Sequence, residues 1–221
     1  MFVGHYAVAL AAKRAAPGTS LGWSFFAVQF LDVLWAPAIL VGIEHARIIP
    51  GFLPASSLDL YDMPWTHSLV MALVWSWLYY RVSKVPVLGI CVFSHWILDL
   101  VVHRPDLPIT RGGPYVGLGL WRLREASFIV EPVLLVFGLV LYLRATRAKN
   151  PAGRYAMSTF VALLVVVEAI NIYGPPPPNI TTVAITAEAS YLAFAAVAAW
   201  LDRMREPVPR QAAPMPSITA A

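Results

Sequence analysis

The chain is short of charge: only 13% of its 221 residues are Asp, Glu, Lys or Arg, against roughly a quarter in an ordinary soluble domain. It holds a single cysteine, Cys91. One thiol excludes an intramolecular disulfide and a thiolate-cluster zinc site, and its apolar neighbours leave it a packing role. The Gly-rich stretch Arg111-Gly112-Gly113-Pro114 to Gly117-Leu118-Gly119 has no Gly-Lys-Ser/Thr ending, which excludes a nucleotide P-loop; it reads as a mobile outer lid or lipid-facing loop. No charged region precedes the first apolar run, and Lys13-Arg14 follow it, the reverse of a signal peptide. Residues 3 to 16 therefore read as a retained short helix. No histidine occurs after residue 103.

What is present is apolar surface. Hydrophobic residues make up 59% of the chain, and the mean hydropathy of +0.67 is that of an integral membrane protein. The length suits one all-α bundle of five or six crossings at about 20 residues each, with no room for a soluble domain. Helices are expected near 3 to 16, 22 to 43, 66 to 82, 85 to 103, 126 to 145, 155 to 173 and 181 to 202. Pro37 should kink or end the second, and Thr66 after Pro64 reads as the cap of the third. Gly174 and Pro175 to Pro178 form a stiff external turn. The domain is expected to span 1 to 205, with 206 to 221 a disordered tail.

The net charge of +4 does not argue for nucleic acid, because the basic residues sit at the ends of apolar runs. If full spans alternate, one side receives Lys13, Arg14, Arg81, Lys84, Arg144, Arg147, Lys149, Arg154, Arg203, Arg205 and Arg210. That side is cytoplasmic by the positive-inside rule, and both termini flank it. The 44 to 66 segment, with His45 as a solvated loop residue, and the 104 to 124 loop face outward.

Ionisable side chains inside such helices are costly and usually functional. His95, Asp99 and His103 are spaced by four, so they form one stripe on one helix. At about 1.5 Å per residue, His95 and Asp99 lie roughly 16 and 22 Å from the cytoplasmic boundary, Asp32 about 15 Å, His67 about 21 Å and His5 about 12 Å. Four helices thus offer His or Asp within a band of roughly 10 Å. Imidazole and carboxylate together suit a divalent ion, Zn first, which makes metal-assisted hydrolysis the leading chemistry. Each residue also has a bland reading: a His-Asp hydrogen bond explains the 95/99 spacing, Asp32 can be a supporting partner, and His67 can sit near water at a helix end. His103, Asp106 and Arg111 are placed at the site mouth, and Arg111, Arg122 and Arg124 are candidates for an anionic headgroup. Glu131 is the candidate proton-transfer group. Glu168, Asn171 and Glu188 form a separate polar set that keeps an ion-coupled transporter in view; a non-enzymatic membrane interaction protein is the other alternative. A substrate reaching an outer-half site sideways from the bilayer would be lipid-like.

His5 before a small-residue helix, Asp32, Pro64-Trp65-Thr66-His67-Ser68 and Ser94-His95-Trp96-Ile97-Leu98-Asp99 together resemble the bacterial family of inner-membrane, LexA-binding metal-dependent hydrolases. The resemblance covers residues 4 to 108. It implies an inner-membrane location and His5, Asp32, His67, His95 and Asp99 as metal or catalytic residues. The chain departs from the family where members often carry Asp-x-Asp-His: here Asp32 is followed by Val33-Leu34-Trp35, which leaves the metal count open. The helix from His95 to His103 is also similar to the His, Asp and His helix of zinc-dependent phospholipase C enzymes, which implies a phosphoester or lipid substrate.

Overall fold

A computed structural model describes residues 1–209. Its described residues are mostly helical: α1 (His5–Ala15), α2 (Leu21–Val28), α3 (Phe30–Leu40), α4 (Leu69–Ser83), α5 (Pro86–Val102), α6 (Arg124–Ala145), α7 (Pro151–Tyr173) and α8 (Ile180–Asp202). Three two-stranded antiparallel ribbons join them, β1 (His45–Leu53) with β2 (Ser56–Asp62), β3 (Leu107–Pro108) with β4 (Tyr115–Val116), and β5 (Thr146–Ala148) with β6 (Arg205–Pro207). The last strand carries regular structure past the expected boundary at 206, while positions 210–221, most of the expected tail, lie outside the described residues.

Local chemistry sets the helix ends. Asn150 and Asn179 accept from the Gly153 and Thr182 amides and cap α7 and α8. Pro86 and Pro151 open α5 and α7 at a position where a missing N–H costs nothing. The cap of α4 is Ser68, accepting from Met71 N, and not Thr66, whose hydroxyl is engaged elsewhere.

The expected helix from 22 to 43 is two helices that meet at Gln29 with a 52° bend. Pro37 is not the cause: it lies inside α3, which runs on to Leu40. The break leaves the Val28 carbonyl, which in a continuous helix would serve the amide of residue 32, to accept from His95 Nδ1 at 2.7 Å. The 44 to 66 loop is largely the β1–β2 hairpin, pinned by Arg47 Nε on Asp59 Oδ2 at 2.7 Å. His45 is exposed on it, paired with Asp62. The hairpin tip crosses to the segment before α6, where Ala55 N donates to the Trp121 carbonyl and Arg124 Nε to the Pro54 carbonyl.

α1 is the central post, packed on α2, α5 and α6 around Tyr6, Leu10, Phe25 and Leu135. Glycine permits the closest approaches: a Cβ on Gly138 of α6 would run into the Ala7 backbone, and one on Gly22 would lie 2.6 Å from Ala199 Cβ. At the basic end Asp202 accepts from Lys13 Nζ at 2.6 Å, from Leu21 N at 3.1 Å and from Tyr142 OH at 3.0 Å.

Three helices, α6, α7 and α8, are long and apolar enough to cross a membrane, and the bent α2–α3 pair passes as a fourth. α4 and α5, with 15 and 17 residues, fall short of that length. Large apolar side chains lie bare on the outside, among them Phe137 at 62% exposure and Ile170 at 65%, as lipid-facing surface requires.

Candidate metal centre

Four ligating atoms form a ring that alternates carboxylate and imidazole. Asp32 Oδ1 lies 3.2 Å from His67 Nε2 and 3.7 Å from His95 Nε2; Asp99 Oδ2 lies 3.7 Å from His67 Nε2 and 3.1 Å from His95 Nε2. Donor atoms bound to one zinc at 2.0–2.1 Å are spaced roughly 3.3 Å apart, the same range. The residues come from α3, the turn before α4, and α5, and all but Asp32 are nine-tenths or more buried. His5 of α1 joins at one side: its Nε2 is 3.2 Å from Asp99 Oδ1, and its ring stacks on His95 at 3.9 Å between centroids. Asp99 Oδ1 also carries the Met1 ammonium at 2.6 Å. Two groupings, His5 with His95 and Asp99, and Asp32 with His67 and His95, have donor atoms close enough to share an ion.

The outer nitrogen of each ring histidine is fixed. His95 Nδ1 faces the Val28 carbonyl, which can only accept, so Nδ1 holds the proton. Thr66 Oγ1 donates to Glu44 Oε2 at 2.6 Å, which commits its one hydrogen, so it accepts from His67 Nδ1 at 2.7 Å. Glu44 is itself buried and held by the amides of Trp65 and Thr66. In the neutral rings both Nε2 atoms therefore present lone pairs to the carboxylates. The outer oxygen of Asp32 accepts from Tyr191 OH at 2.9 Å. Such outer partners orient metal ligands and fix their tautomers.

All five residues named from the sequence as ligands meet here. His103 is buried, with Nε2 3.9 Å from Asp99 Oδ2 and Nδ1 bonded to Asp106 at 2.9 Å, and it lines the cavity over the ring. Asp106 thus supports His103. Arg111 is not brought to the site: it covers the Trp65 ring at 4.9 Å and lines a separate depression of about 230 Å³. Nor is the Gly-rich stretch a free lid, since Leu118 N and Gly119 N donate to the carbonyls of Leu100 and His103. Glu131 is buried, its Oε2 accepting from Phe2 N and Gly4 N. Glu168 accepts from Asn171 Nδ2 at a long 3.5 Å, and Glu188 Oε2 is buried without a hydrogen-bond partner.

Sequence reasoning missed Glu44, Thr66 and Tyr191. The acid carried a signal in its closeness to His45 and Arg47, which pointed to solvent instead; Tyr191 carried none, being 159 residues from Asp32.

Above the ring lies a cavity of about 680 Å³, with Asp32, His67, Asp99, His103 and Glu131 on its floor and hairpin residues Pro50 to Leu58 as its roof. Trp121 and Arg124 are at its side. No protein-family profile, curated protein or solved structure matches the chain.

Proposed function

We propose that this chain is a membrane-bound metal-dependent hydrolase that cleaves an ester or phosphoester bond of a lipid-like substrate. The observation that carries the reading is the buried ring of Asp32, His67, Asp99 and His95. The fit to a divalent ion, Zn first, rests on His95 Nε2 and His5 Nε2, each buried and without an aligned hydrogen bond although an Asp99 oxygen lies beside it. His67, His95, Asp32 and Asp99 would hold the ion, with His5 beside the Asp99 oxygen that also carries the Met1 ammonium. When bound, the ion supplies Lewis acidity toward the scissile group and toward water at neutral pH.

The chain's own groups do the rest. The Val28 carbonyl and the Glu44–Thr66 pair keep the two Nε2 lone pairs turned inward, and Tyr191 holds Asp32. Buried walls limit water to the cavity. Glu131, on the same floor, takes the proton that the attacking water loses. As the oxygen of that water bonds to the acyl carbon or phosphorus, the ester oxygen leaves, and Glu131 returns the proton to it.

The reading places the chain in the inner membrane with five or six crossings, α4 and α5 serving as short ones, and with both terminal flanks cytoplasmic. The Arg147–Glu206 and Arg205 contacts gather basic residues at that end. Elemental analysis of protein purified in detergent tests the metal. Stoichiometric metal in the wild type and its loss in His95→Ala and Asp99→Ala are expected. A wild type that copurifies no metal and takes up none on titration overturns the reading.

A further inference from the structure

The cavity above the ring does not end at the hairpin. α7 packs on α6, whereas α8 packs on α2 and α3, and between α7 and α8 the cavity continues as a slot. The α8 wall is Val183, Thr186, Ala187, Ser190 and Tyr191, spaced as one helical face. The α7 wall includes Val167 and Ile170. Ile170 and Thr186 line the slot and are also exposed on the outside of the helices. Both belong to helices apolar enough to span a membrane, so the slot opens sideways where lipid would lie.

Its two ends differ in chemistry. The inner end is Tyr191, which bonds Asp32 of the ring. Farther out, the hydroxyls of Thr186 and Ser190 donate within their own helix, to the carbonyls of Thr182 and Thr186 at 2.7 Å each. With those donors spent, Val183 and Ala187 and the carbon atoms of Thr186 and Ser190 give this wall its apolar surface, while the two hydroxyl oxygens and Asn171 of α7 remain its polar points. Val183 to Tyr191 covers about 12 Å at the helical rise, and Arg124 supplies a cation to the cavity above.

We infer that the slot is a lateral portal for one hydrocarbon chain of an amphiphile, whose ester or phosphoester head lies in the cavity while the chain runs out between α7 and α8 into the bilayer. A water-soluble substrate would leave the slot's apolar walls wet; a purely apolar one would leave the ring and Arg124 unmatched. This inference rests on the hydrolase reading for its cleavage chemistry, and on the slot alone for chain binding.

The test uses the full chain in phosphatidylethanolamine–phosphatidylglycerol nanodiscs doped with a phosphatidylglycerol carrying a diazirine near the end of one acyl chain. After photolysis, adducts are mapped by mass spectrometry. Adducts are expected at Val167, Val183 and Ala187, and Ala187→Trp should lower them about tenfold, the equivalent of roughly 1.4 kcal/mol of binding. Adducts at the lipid-facing Val133 and Phe137 of α6 should stay unchanged. Thr186→Trp, at an exposed position, is the second plug should the first variant fold poorly. Hydrolysis of p-nitrophenyl acetate or bis-p-nitrophenyl phosphate, which have no chain to thread, should survive both plugs. Slot labelling no denser than on α6, or unmoved by both plugs, overturns the portal. Slot labelling that the plugs abolish, in protein that binds no metal and hydrolyses nothing, upholds the portal and overturns the hydrolase reading.

Discussion

Replacing Glu44 by Gln should cost metal affinity through two hydrogen atoms, without touching a ligand. Glu44 accepts three hydrogen bonds, from Trp65 N at 2.7 Å, Thr66 N at 2.9 Å and Thr66 Oγ1 at 2.6 Å. A glutamine can keep its carbonyl oxygen on the two amides only by turning its NH2 toward Thr66 Oγ1. The hydroxyl must then accept from the amide and donate to His67 Nδ1, which moves the imidazole proton to Nε2 and aims it at Asp32 and Asp99. A ligand lone pair becomes an N–H. Changes in such outer partners typically cost 10–100-fold in metal affinity, or about 1.4–2.7 kcal/mol. Zinc affinity measured by chelator competition, with Co²⁺ absorption as a report on ligand geometry, checks it. Thr66→Ser keeps the relay and should bind like the wild type, whereas Thr66→Val removes the acceptor for Nδ1 and should lose affinity. If Glu44→Gln and Thr66→Val fold and bind zinc within about threefold of the wild type, the relay does not set the His67 tautomer.

Tyr191→Phe removes the donor to Asp32 Oδ2 and should weaken zinc binding by at least about tenfold, on the scale of one hydrogen bond to a charged group, read by the same chelator competition. Lys13→Met leaves Asp202 buried without its cation and should destabilise the fold by about 3–5 kcal/mol, read as a fall in unfolding temperature with metal content per folded molecule retained. Gly138→Leu forces α1 away from α6 and should lower stability by at least about 1–3 kcal/mol, seen in the same melt. Arg111→Ala should leave zinc affinity and hydrolysis as they are, because Arg111 stands on Trp65 outside the cavity; a large loss in either would place it in the site.

Depth was legible in the sequence and direction was not. Counting residues from the basic ends put His5, Asp32, His67, His95 and Asp99 in one band, and they meet because α5 packs on α1, α3 and α4. The count assumed an unbroken helix from Gly22 to Asp32, with the kink expected only at Pro37. The real break at Gln29 is invisible to periodicity: the run Leu21–Leu40 is apolar on both sides of it apart from Ser24, Gln29 and Asp32, and its one proline lies eight residues past the break. What makes the break tolerable is a partner for the Val28 carbonyl, and that partner, His95, is 67 residues away. The hairpin was missed for a related reason. It has few long apolar alternations, and its register rests on ion pairs of Asp59 with Arg47 and with Arg104, which lies 45 residues off.

The ring's electrostatics leave two ways to satisfy it. Two carboxylate oxygens stand 3.1–3.7 Å from two imidazole nitrogens; the Met1 ammonium balances the other oxygen of Asp99 and the Tyr191 hydroxyl bonds the other oxygen of Asp32, which leaves protons on Nε2 or a shared cation to satisfy the inner pair. A proton would make hydrogen bonds, and hydrogen bonds have direction: an N–H aims at its acceptor. His95 Nε2 is 3.1 Å from Asp99 Oδ2 and His5 Nε2 is 3.2 Å from Asp99 Oδ1, yet neither pair aligns as a hydrogen bond. Two buried imidazole nitrogens thus stand close to Asp99 without an aligned hydrogen bond to it. The outer nitrogens point the same way, since a carbonyl on His95 and a Thr–Glu pair on His67 hold the protons outside the ring. Burial raises the stakes, because unpaired polar atoms and unbalanced carboxylates are costly there. On the proposed reading a divalent cation held here would offset that cost, and removing it should leave the folded protein less stable by an amount set by the ion's concentration relative to its Kd. Unfolding temperature should rise with added zinc and fall with chelator in the wild type, and should do neither in Asp99→Ala.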